Sequence, residues 1–290
     1  MATHTFKKIA FYYRSDSLLG PFWKKRIQGW IRRRYPKTVI LETSAPPKTR
    51  RDAPNLLIVL GGDGTILEAA QKFQKWNPMI FGLNLGHVGF LASVREQKYF
   101  LSGLEKVLRR KYRAIPRMLI RADLFRRCRK IFSAYALNDI AIQHLLGIVD
   151  VGVYVDGHPV QYIHGSGVIV ATATGSTAYN LSAHGPIVMP DIKCFIITEL
   201  LDHGIPTPSL IIKRNRTITL KVEDFRKKEQ FIIKKSGEAA DVILATDTER
   251  MIALKKGDTI VIRRSQRLIR FAELEKNYFF KSLAEKFAFQ

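Results

Sequence analysis

The sequence predicts two domains of different class, an α/β domain with a mostly parallel sheet at residues 1–115 and an all-β domain at residues 116–270, followed by a helical tail at residues 271–290. Three observations predict it. Strand and helix signals alternate through the first domain, as in a parallel sheet covered by helices. Beyond Arg117, short β-branched and apolar runs recur between turn signals, as in an all-β domain. The last stretch, Glu273–Phe289, places Tyr278, Phe279, Leu283 and Phe287 on one apolar side of a helix, which suits docking onto another part of the fold.

In order along the chain, Ile9–Tyr13, Leu56–Leu60 and Ile80–Leu85 read as buried strands. Helices are expected near Phe22–Arg34, Ile66–Lys75 and Lys98–Arg110, with Asn77-Pro78 stopping the second and Ala45-Pro46-Pro47 marking a loop. In the second domain the strand runs are Met118–Leu124, Val149–Val155, Gly167–Ala171, Thr217–Val222, Phe231–Lys234, Val242–Thr246 and Thr259–Ile262. Asp156-Gly157-His158-Pro159, Ser236-Gly237 and Lys256-Gly257-Asp258 are the turns between them.

A chain of 290 residues has room for two ordinary cores, and 46% hydrophobic with 25% charged residues is the composition of a globular protein. No stretch reaches the length of a membrane span, and the start Met1–Lys8 lacks the apolar segment of a signal peptide, so a cytoplasmic protein is expected. Cys128 and Cys194 are lone thiols in apolar, strand-like runs, expected to be inert and reduced. The net charge of +23 suits a polyanionic partner. The basic residues are spread out, however, with 22 Lys/Arg against 7 Asp/Glu in residues 1–115, and no nucleic-acid recognition motif accompanies them. A field that draws in nucleotide phosphates accounts for the charge equally well.

Chemistry concentrates in four segments. Gly61-Gly62-Asp63-Gly64-Thr65 follows the buried run Leu56–Leu60 and precedes a helix. Bare glycines let backbone approach a phosphate, and a helix N-terminus offers unpaired amides. A carboxylate repels anions, so Asp63 makes sense as a base for a hydroxyl or as a partner of a phosphate-bound metal, which is the equipment of phosphoryl transfer. As five residues alone the segment reads equally well as a plain turn. A second Gly-rich turn, Asn84-Leu85-Gly86-His87-Val88-Gly89-Phe90-Leu91, follows the next strand, and strands of an open α/β sheet bind ligands at such ends. Asn138-Asp139 pairs an amide with a carboxylate, suited to a base edge and ribose hydroxyls. Thr172-Ala173-Thr174-Gly175-Ser176-Thr177-Ala178-Tyr179-Asn180-Leu181-Ser182-Ala183-His184-Gly185-Pro186 is a dense set of small donors before a helix start.

These four segments, in this order across residues 61–188, resemble the NAD kinase family. That family combines a Gly-Gly-Asp-Gly-Thr turn, an Asn-x-Gly-x-x-Gly-Phe-Leu turn, an Asn followed by an acid, and a Thr-Pro-Thr-Gly-Ser-Thr-Ala-Tyr run leading to Gly-Pro. The first is shared with lipid kinases and phosphofructokinases; the Thr172–Pro186 run is the specific one.

The resemblance implies the following roles. Asp63 would take the proton of the adenosine ribose 2′-hydroxyl of NAD as it attacks the γ-phosphate of ATP, giving NADP. Gly61, Gly62, Gly64 and Thr65 would shape the phosphate cradle, and Phe90 would lie near the adenine. Asn138 and Asp139 would contact the NAD adenine and ribose. Thr174, Ser176, Thr177, Ala178 and Tyr179 would line the dinucleotide site, with Asp247 near the second nucleotide position. Mg²⁺ would bridge the ATP phosphates without a dedicated protein cage.

The resemblance also implies an N-terminal α/β domain, a C-terminal β domain, a tail helix returning to the first domain, and a homodimer or homotetramer. NAD and ATP are the expected partners, with neither nucleic acid nor membrane among them. The chain departs from the family at Ser166, where a carboxylate is usual in His164-Gly165-Ser166-Gly167, and at Ala173, where proline is usual. The segment Leu200–Pro206 is also divergent. His164 flanks the site and is counted with the dinucleotide residues, as a phosphate contact or as a structural histidine; His184 divides the same way. A lipid kinase, a dinucleotide-binding regulator without turnover and a nucleic-acid binder stay open as rivals, as do other phosphoryl donors and NADH as acceptor.

Overall fold

The computed structural model describes residues 6–41, 46–86, 89–204, 207–227, 232–233, 237–247 and 250–287. His87, Ile205-Pro206, Phe231, Lys234 to Ser236, Thr248 and the end of the tail beyond Phe287 lie outside the described residues, together with what was expected of them. Contacts divide the chain into two units, Met1–Arg117 with Arg267–Gln290, and Met118–Gln266.

The first unit is an α/β sandwich. Its strands are β1 (Lys8–Tyr12), β2 (Val39–Leu41), β3 (Leu56–Leu60) and β4 (Met79–Leu83); its helices are α1 (Leu19–Arg34), α2 (Asp63–Phe73) and α3 (Phe100–Leu108). The pairs β1–β2, β1–β3 and β3–β4 are all parallel, and Arg270 and Phe271 add a parallel pairing on β4. Every residue of β3 and β4 is buried, as strands covered on both faces require. Trp23, Ile27 and Ile31 of α1 recur at helical spacing and fill the core with Phe11, Ile58, Phe81 and Phe100.

Helix α1 starts three residues earlier than expected, because Pro21 sits in the first turn, where its missing N–H is not needed, and Ser17 Oγ accepts the Gly20 amide. Helix α2 also starts three residues early. Gly62 is its extended cap, and its carbonyl accepts the Ile66 amide at 3.1 Å, so Asp63 is the first helical residue rather than part of the bend. β2 was not expected; it is short, and only half-buried or exposed.

The second unit is all-β but for, among the described residues, a 3₁₀ turn at Gly175–Thr177 and one four-residue helix. Its strands are β5 (Arg113–Arg126, which begins in the first unit), β6 (Arg129–Ala136), β7 (Asp139–His144), β8 (Val149–Val155) and β9 (His158–Thr172). Helix α4 (Tyr179–Ser182) precedes β10 (Cys194–Asp202), β11 (Leu210–Lys213), β12 (Ile218–Phe225), β13 (Ile232–Ile233), β14 (Glu238–Ala239), β15 (Val242–Thr246), β16 (Arg250–Ala253) and β17 (Thr259–Glu273). The tail helix α5 spans Tyr278–Phe287 in the first unit.

Inward residues of these strands, among them Ile120, Ile142, Val151, Val153, Ile163, Val170, Phe195, Leu220 and Leu244, form one core. β9 runs much longer than the expected Gly167–Ala171. It pairs with β8 up to Gly165, with β7 from Gly167, and with β10 along its other edge. Gly167 makes that crossing possible: its φ is 147°, and a Cβ there would meet the Ile142 carbonyl oxygen at 1.9 Å.

Three further expectations are corrected. Asp156 and Gly157 alone form the β8–β9 turn, both with positive φ, the geometry of a two-residue hairpin. The expected strand Thr259–Ile262 continues to Glu273, which delays the tail helix to Tyr278. Cys128 is exposed in the β5–β6 turn with φ 62°, not in apolar strand surroundings, whereas Cys194 is buried and burial pushes its thiol pKa up. Both thiols are free. Among the described residues no helix is long and apolar enough to cross a membrane.

Candidate active site

In the first unit the parallel strands β3 and β4 deliver two loops side by side, and the Gly61 amide donates to the Leu83 carbonyl at 3.0 Å. Gly61 is required by close approach: a Cβ would lie 2.5 Å from Thr65 Oγ1. Asp63 then stands at the N-terminus of α2, where the helix dipole favours negative charge. Its carboxylate is clamped. Oδ2 accepts the Phe90 amide at 2.6 Å and Oδ1 the Leu91 amide at 3.1 Å. The clamp depends on Gly89, where a Cβ would sit 2.1 Å from Asp63 Oδ1. Asn84 closes the same loop on itself, donating to the Gly86 carbonyl and accepting the Gly86 amide.

Phe90, expected near adenine, is 7% exposed. Its ring lies 6.0 Å from Phe279 and 6.4 Å from Phe287 of α5, with Lys286 Nζ 5.1 Å above it. Helix α5 reaches this loop a second way. The Tyr278 hydroxyl and Ser282 Oγ donate to the Gly89 carbonyl at 3.4 and 3.3 Å. Arg95 ties the helix down, donating to the Tyr278 carbonyl and to Ser282 Oγ and pairing with Glu285. The buried residues of α5 are therefore Tyr278 and Ser282, while Phe287 is half exposed, which corrects the apolar side read from the sequence. Tyr278, Ser282 and Arg95 were not among the expected site residues. The one available signal was Ser282, a small polar residue one turn beyond Tyr278.

In the second unit, Asn138 and Asp139 lie at the entry to β7 beside the Thr172–Gly185 run. The Thr172 amide donates to the Asn138 carbonyl at 2.7 Å, and Thr172 Oγ1 donates to the Leu137 carbonyl at 2.6 Å. Asp247 is spent on this corner. Its Oδ2 accepts the Leu137 amide at 2.7 Å, and Oδ1 those of Asn138 and Asp139 at 2.9 and 3.1 Å. Asp139 is 7% exposed; burial first, and the Asp247 charge second, push its carboxyl pKa up to about 7. The Tyr179 phenol is also raised, by burial and then by Asp139, which places the two in one electrostatic neighbourhood.

The run divides by burial. Thr174 and Ser176 are inside. Ser176 Oγ contacts the Ala173 and Val188 carbonyls and accepts the Val188 amide. Asn180, also buried, bridges Ser176 and Pro186 and accepts the Thr198 hydroxyl. Thr177, Ala178 and Tyr179 are half-buried and face outward. Tyr179 lines a cavity of about 600 Å³ with Ser166, Gln143, His144, Leu200 and His203. His164 does not line it. It is bound to Asp150 (Nδ1 to Oδ1, 2.6 Å) beside a second cavity of about 530 Å³. The structure thus gathers Gly61–Thr65 and Phe90 in one unit, and Asn138, Asp139, Asp247, Ser166 and Thr174–Tyr179 in the other. Among the described residues no three His, Cys, Asp or Glu side chains converge as a metal site.

Comparison with known proteins agrees with these features. Residues 20–112 match the model of the ATP-NAD kinase N-terminal domain, and residues 138–274 that of the ATP-NAD kinase C-terminal domain. An NAD kinase from Chloroflexus aurantiacus is 32% identical over 289 residues, covering 97% of this chain and 98% of its own. One from Lachnoclostridium phytofermentans is 33% identical over 234 residues, 79% of each chain. The solved yeast NADH kinase complexed with NADH shares the fold, with a TM-score of 0.84 at 20% identity over 98% of this chain and 88% of its own. An NAD kinase from Archaeoglobus fulgidus in complex with ATP has a TM-score of 0.72 at 25% identity, over 94% and 96%. With both domain models matched in order and a third of the residues shared with curated relatives over most of their length, the chain belongs to the NAD kinase family.

Proposed function

We propose that this chain transfers the γ-phosphate of ATP to the 2′-hydroxyl of the adenosine ribose of NAD, giving NADP, with Asp63 as the general base. The overall reaction, phosphorylation of NAD with ATP, is that of the family to which the chain belongs. The placement of Asp63 carries the assignment of the base: a carboxylate in the first turn of α2, directly after two glycines, clamped by two amides. A ribose hydroxyl is a poor nucleophile at neutral pH, and a positioned base typically contributes about 10²–10⁴-fold. The 2′-oxygen forms its bond to the γ-phosphorus as its proton passes to Asp63. The bond from the γ-phosphorus to the bridging oxygen breaks, ADP leaves, and Asp63 returns the proton to water. Gly62, Gly64 and Thr65 support the phosphate through backbone amides at the helix end, and Gly61, its own amide held by the Leu83 carbonyl, sets the turn that brings them there.

For NAD, Asn138 and Asp139 take the adenine and its ribose, and Thr177, Ala178, Tyr179 and Ser166 offer the outward-facing surface. Thr174, Ser176 and Asp247 hold that surface in shape from behind, and His164, bound to Asp150, stands two residues before Ser166 on β9 as a structural histidine. Within the first unit, Phe90 acts on Asp63 through its backbone amide, its ring being covered by α5. Asp63 is the one carboxylate at the phosphate turn, a donor set that suits Mg²⁺ held chiefly by ATP phosphates and water; when bound, the ion would neutralise phosphate charge. A cytoplasmic homodimer or homotetramer completes the reading. Its support is the family resemblance and the exposed Tyr162, Leu201 and Ile211 of the second unit.

The test is NADP formation by the purified chain from NAD, ATP and Mg²⁺, with NADH and polyphosphate substituted in turn and light scattering for the assembly. NADP from NAD and ATP is the expected result. No phosphorylated dinucleotide from any pairing would overturn the reading.

A further inference from the structure

We infer that the tail helix α5 is part of the catalytic machinery, with Tyr278 and Ser282 as positioning residues that hold the Gly89–Phe90 peptide and, through it, the Asp63 carboxylate. The inference rests on the reading of Asp63 as the base.

A peptide bond is planar, so the Gly89 carbonyl and the Phe90 N–H are opposite ends of one rigid unit. The N–H end donates to Asp63 Oδ2 at 2.6 Å. The carbonyl end faces the Tyr278 hydroxyl at 3.4 Å and Ser282 Oγ at 3.3 Å. Donors on the carbonyl fix the tilt of the plane and polarise the N–H, so they act on the carboxylate without touching it.

Both side chains are buried, Ser282 fully and Tyr278 at 8% exposure, so water does not replace them. Arg95 Nη2 donates to Ser282 Oγ at 2.6 Å, so the single hydroxyl proton of Ser282 is shared between the Gly89 carbonyl at 3.3 Å and the Tyr278 carbonyl at 3.0 Å, and Tyr278 is the donor committed to Gly89. The Arg95 guanidinium also stacks 4.5 Å from the centre of the Tyr278 ring. Burial pushes the Tyr278 phenol up to about 12, so it stays a protonated donor at working pH. The same helix holds the next residue, closing Phe279 and Phe287 on the Phe90 ring. One helix therefore fixes the peptide on both sides of the amide that grips the base.

The experiment measures kcat and KM for NAD and ATP in the full chain carrying Tyr278→Phe, Ser282→Ala or both, each in the wild-type and in the Asp63→Asn background, with melting curves alongside. Each single change removes one oxygen, and Tyr278→Phe keeps the ring against Arg95, so this variant serves if Ser282→Ala fails to fold. Each single variant is expected to lower kcat about 3–10-fold, the worth of one buried hydrogen bond, with both KM values within about twofold. In the Asp63→Asn background the same changes are expected to leave the residual rate unaltered, because the clamp then has no base to orient. Wild-type kcat in the double variant would overturn the inference, and so would an equal loss in both backgrounds, the mark of a merely structural role. Wild-type activity in Asp63→Asn alone would instead overturn the assignment of the base.

Discussion

The two units hold their candidate site residues by opposite means. In the first unit, the Asp63 carboxylate is fixed by amides 27 and 28 residues away, and the peptide of the nearer one, Gly89–Phe90, by helix residues 189 and 193 positions beyond Gly89. In the second unit, the Thr172–Gly185 run is mostly self-supporting. Ser176 bonds to Ala173, Thr172 to Gly175, and Asn180 to Ser176, contacts three or four residues apart. A site made of local contacts tolerates changes elsewhere in the chain. One assembled from distant segments inherits the vulnerability of each contributor.

Substitutions can break this contrast. Among the residues that support Asp63, the largest effect is expected at Gly89. An alanine Cβ there would strike the Asp63 carboxylate, and a displacement of about 1 Å costs on the order of 10²-fold in rate. Steady-state kinetics should show the loss in kcat, with the melting temperature near wild type; an unchanged kcat would mean that the clamp does not set the rate.

Next is Asp247→Ala in the second unit. It leaves three amides without their acceptor, and on the order of 2–3 kcal/mol of stability should go, read from chemical denaturation. Asp247 is the most remote of the contacts described at this corner, about 110 residues away, so a loss much below 1 kcal/mol would mean that the corner is held by its nearer contacts alone.

A pH effect follows at Asp139. Its folded pKa of about 7 lies above the unfolded value near 3.8, so the folded state binds the proton more tightly. The stability that the proton confers is full below about pH 4 and is lost as pH rises through about 7. Stability measured from pH 4 to 8 should decline in wild type by more than in Asp139→Asn; parallel curves would place the titration elsewhere.

The smallest effect separates two neighbours in the run. Ser176→Ala should cost about 1–2 kcal/mol of stability with KM for NAD unchanged, whereas the outward Thr177→Ala should raise that KM a few-fold at little cost in stability.

The sequence carried the parts whose signal is local. Leu56–Leu60, Val149–Val155 and Val242–Thr246 have the strand bounds read from their apolar runs, and the two-domain class follows from the change of texture near Arg117. Helix starts were misplaced wherever glycine or proline occupies a first turn, since Gly64 and Pro21 look like loop residues until their helical bonds are seen. β9 and β17 run far past their apolar stretches, because pairing rather than side-chain pattern extends them.

In the candidate site, the run named the hydroxyls without saying which are buried; Ser176 and Thr177 are indistinguishable by type. Asp247 was placed near a nucleotide by the family resemblance alone, and its bonds to the Leu137, Asn138 and Asp139 amides, about 110 residues away, carry no local signal. Tyr278 was legible only as part of an apolar helix side, and Ser282 only as a small polar residue one turn beyond it. Their target is a backbone carbonyl, which every residue possesses.

The central claim, that Asp63 is the base, is tested most directly by the kcat of Asp63→Asn, with KM for NAD and ATP determined in parallel. The account predicts a fall of about 10²–10⁴-fold in kcat with both KM values little changed. A variant that retains kcat within about threefold of wild type would contradict it, and the proton would have to leave the ribose by another route.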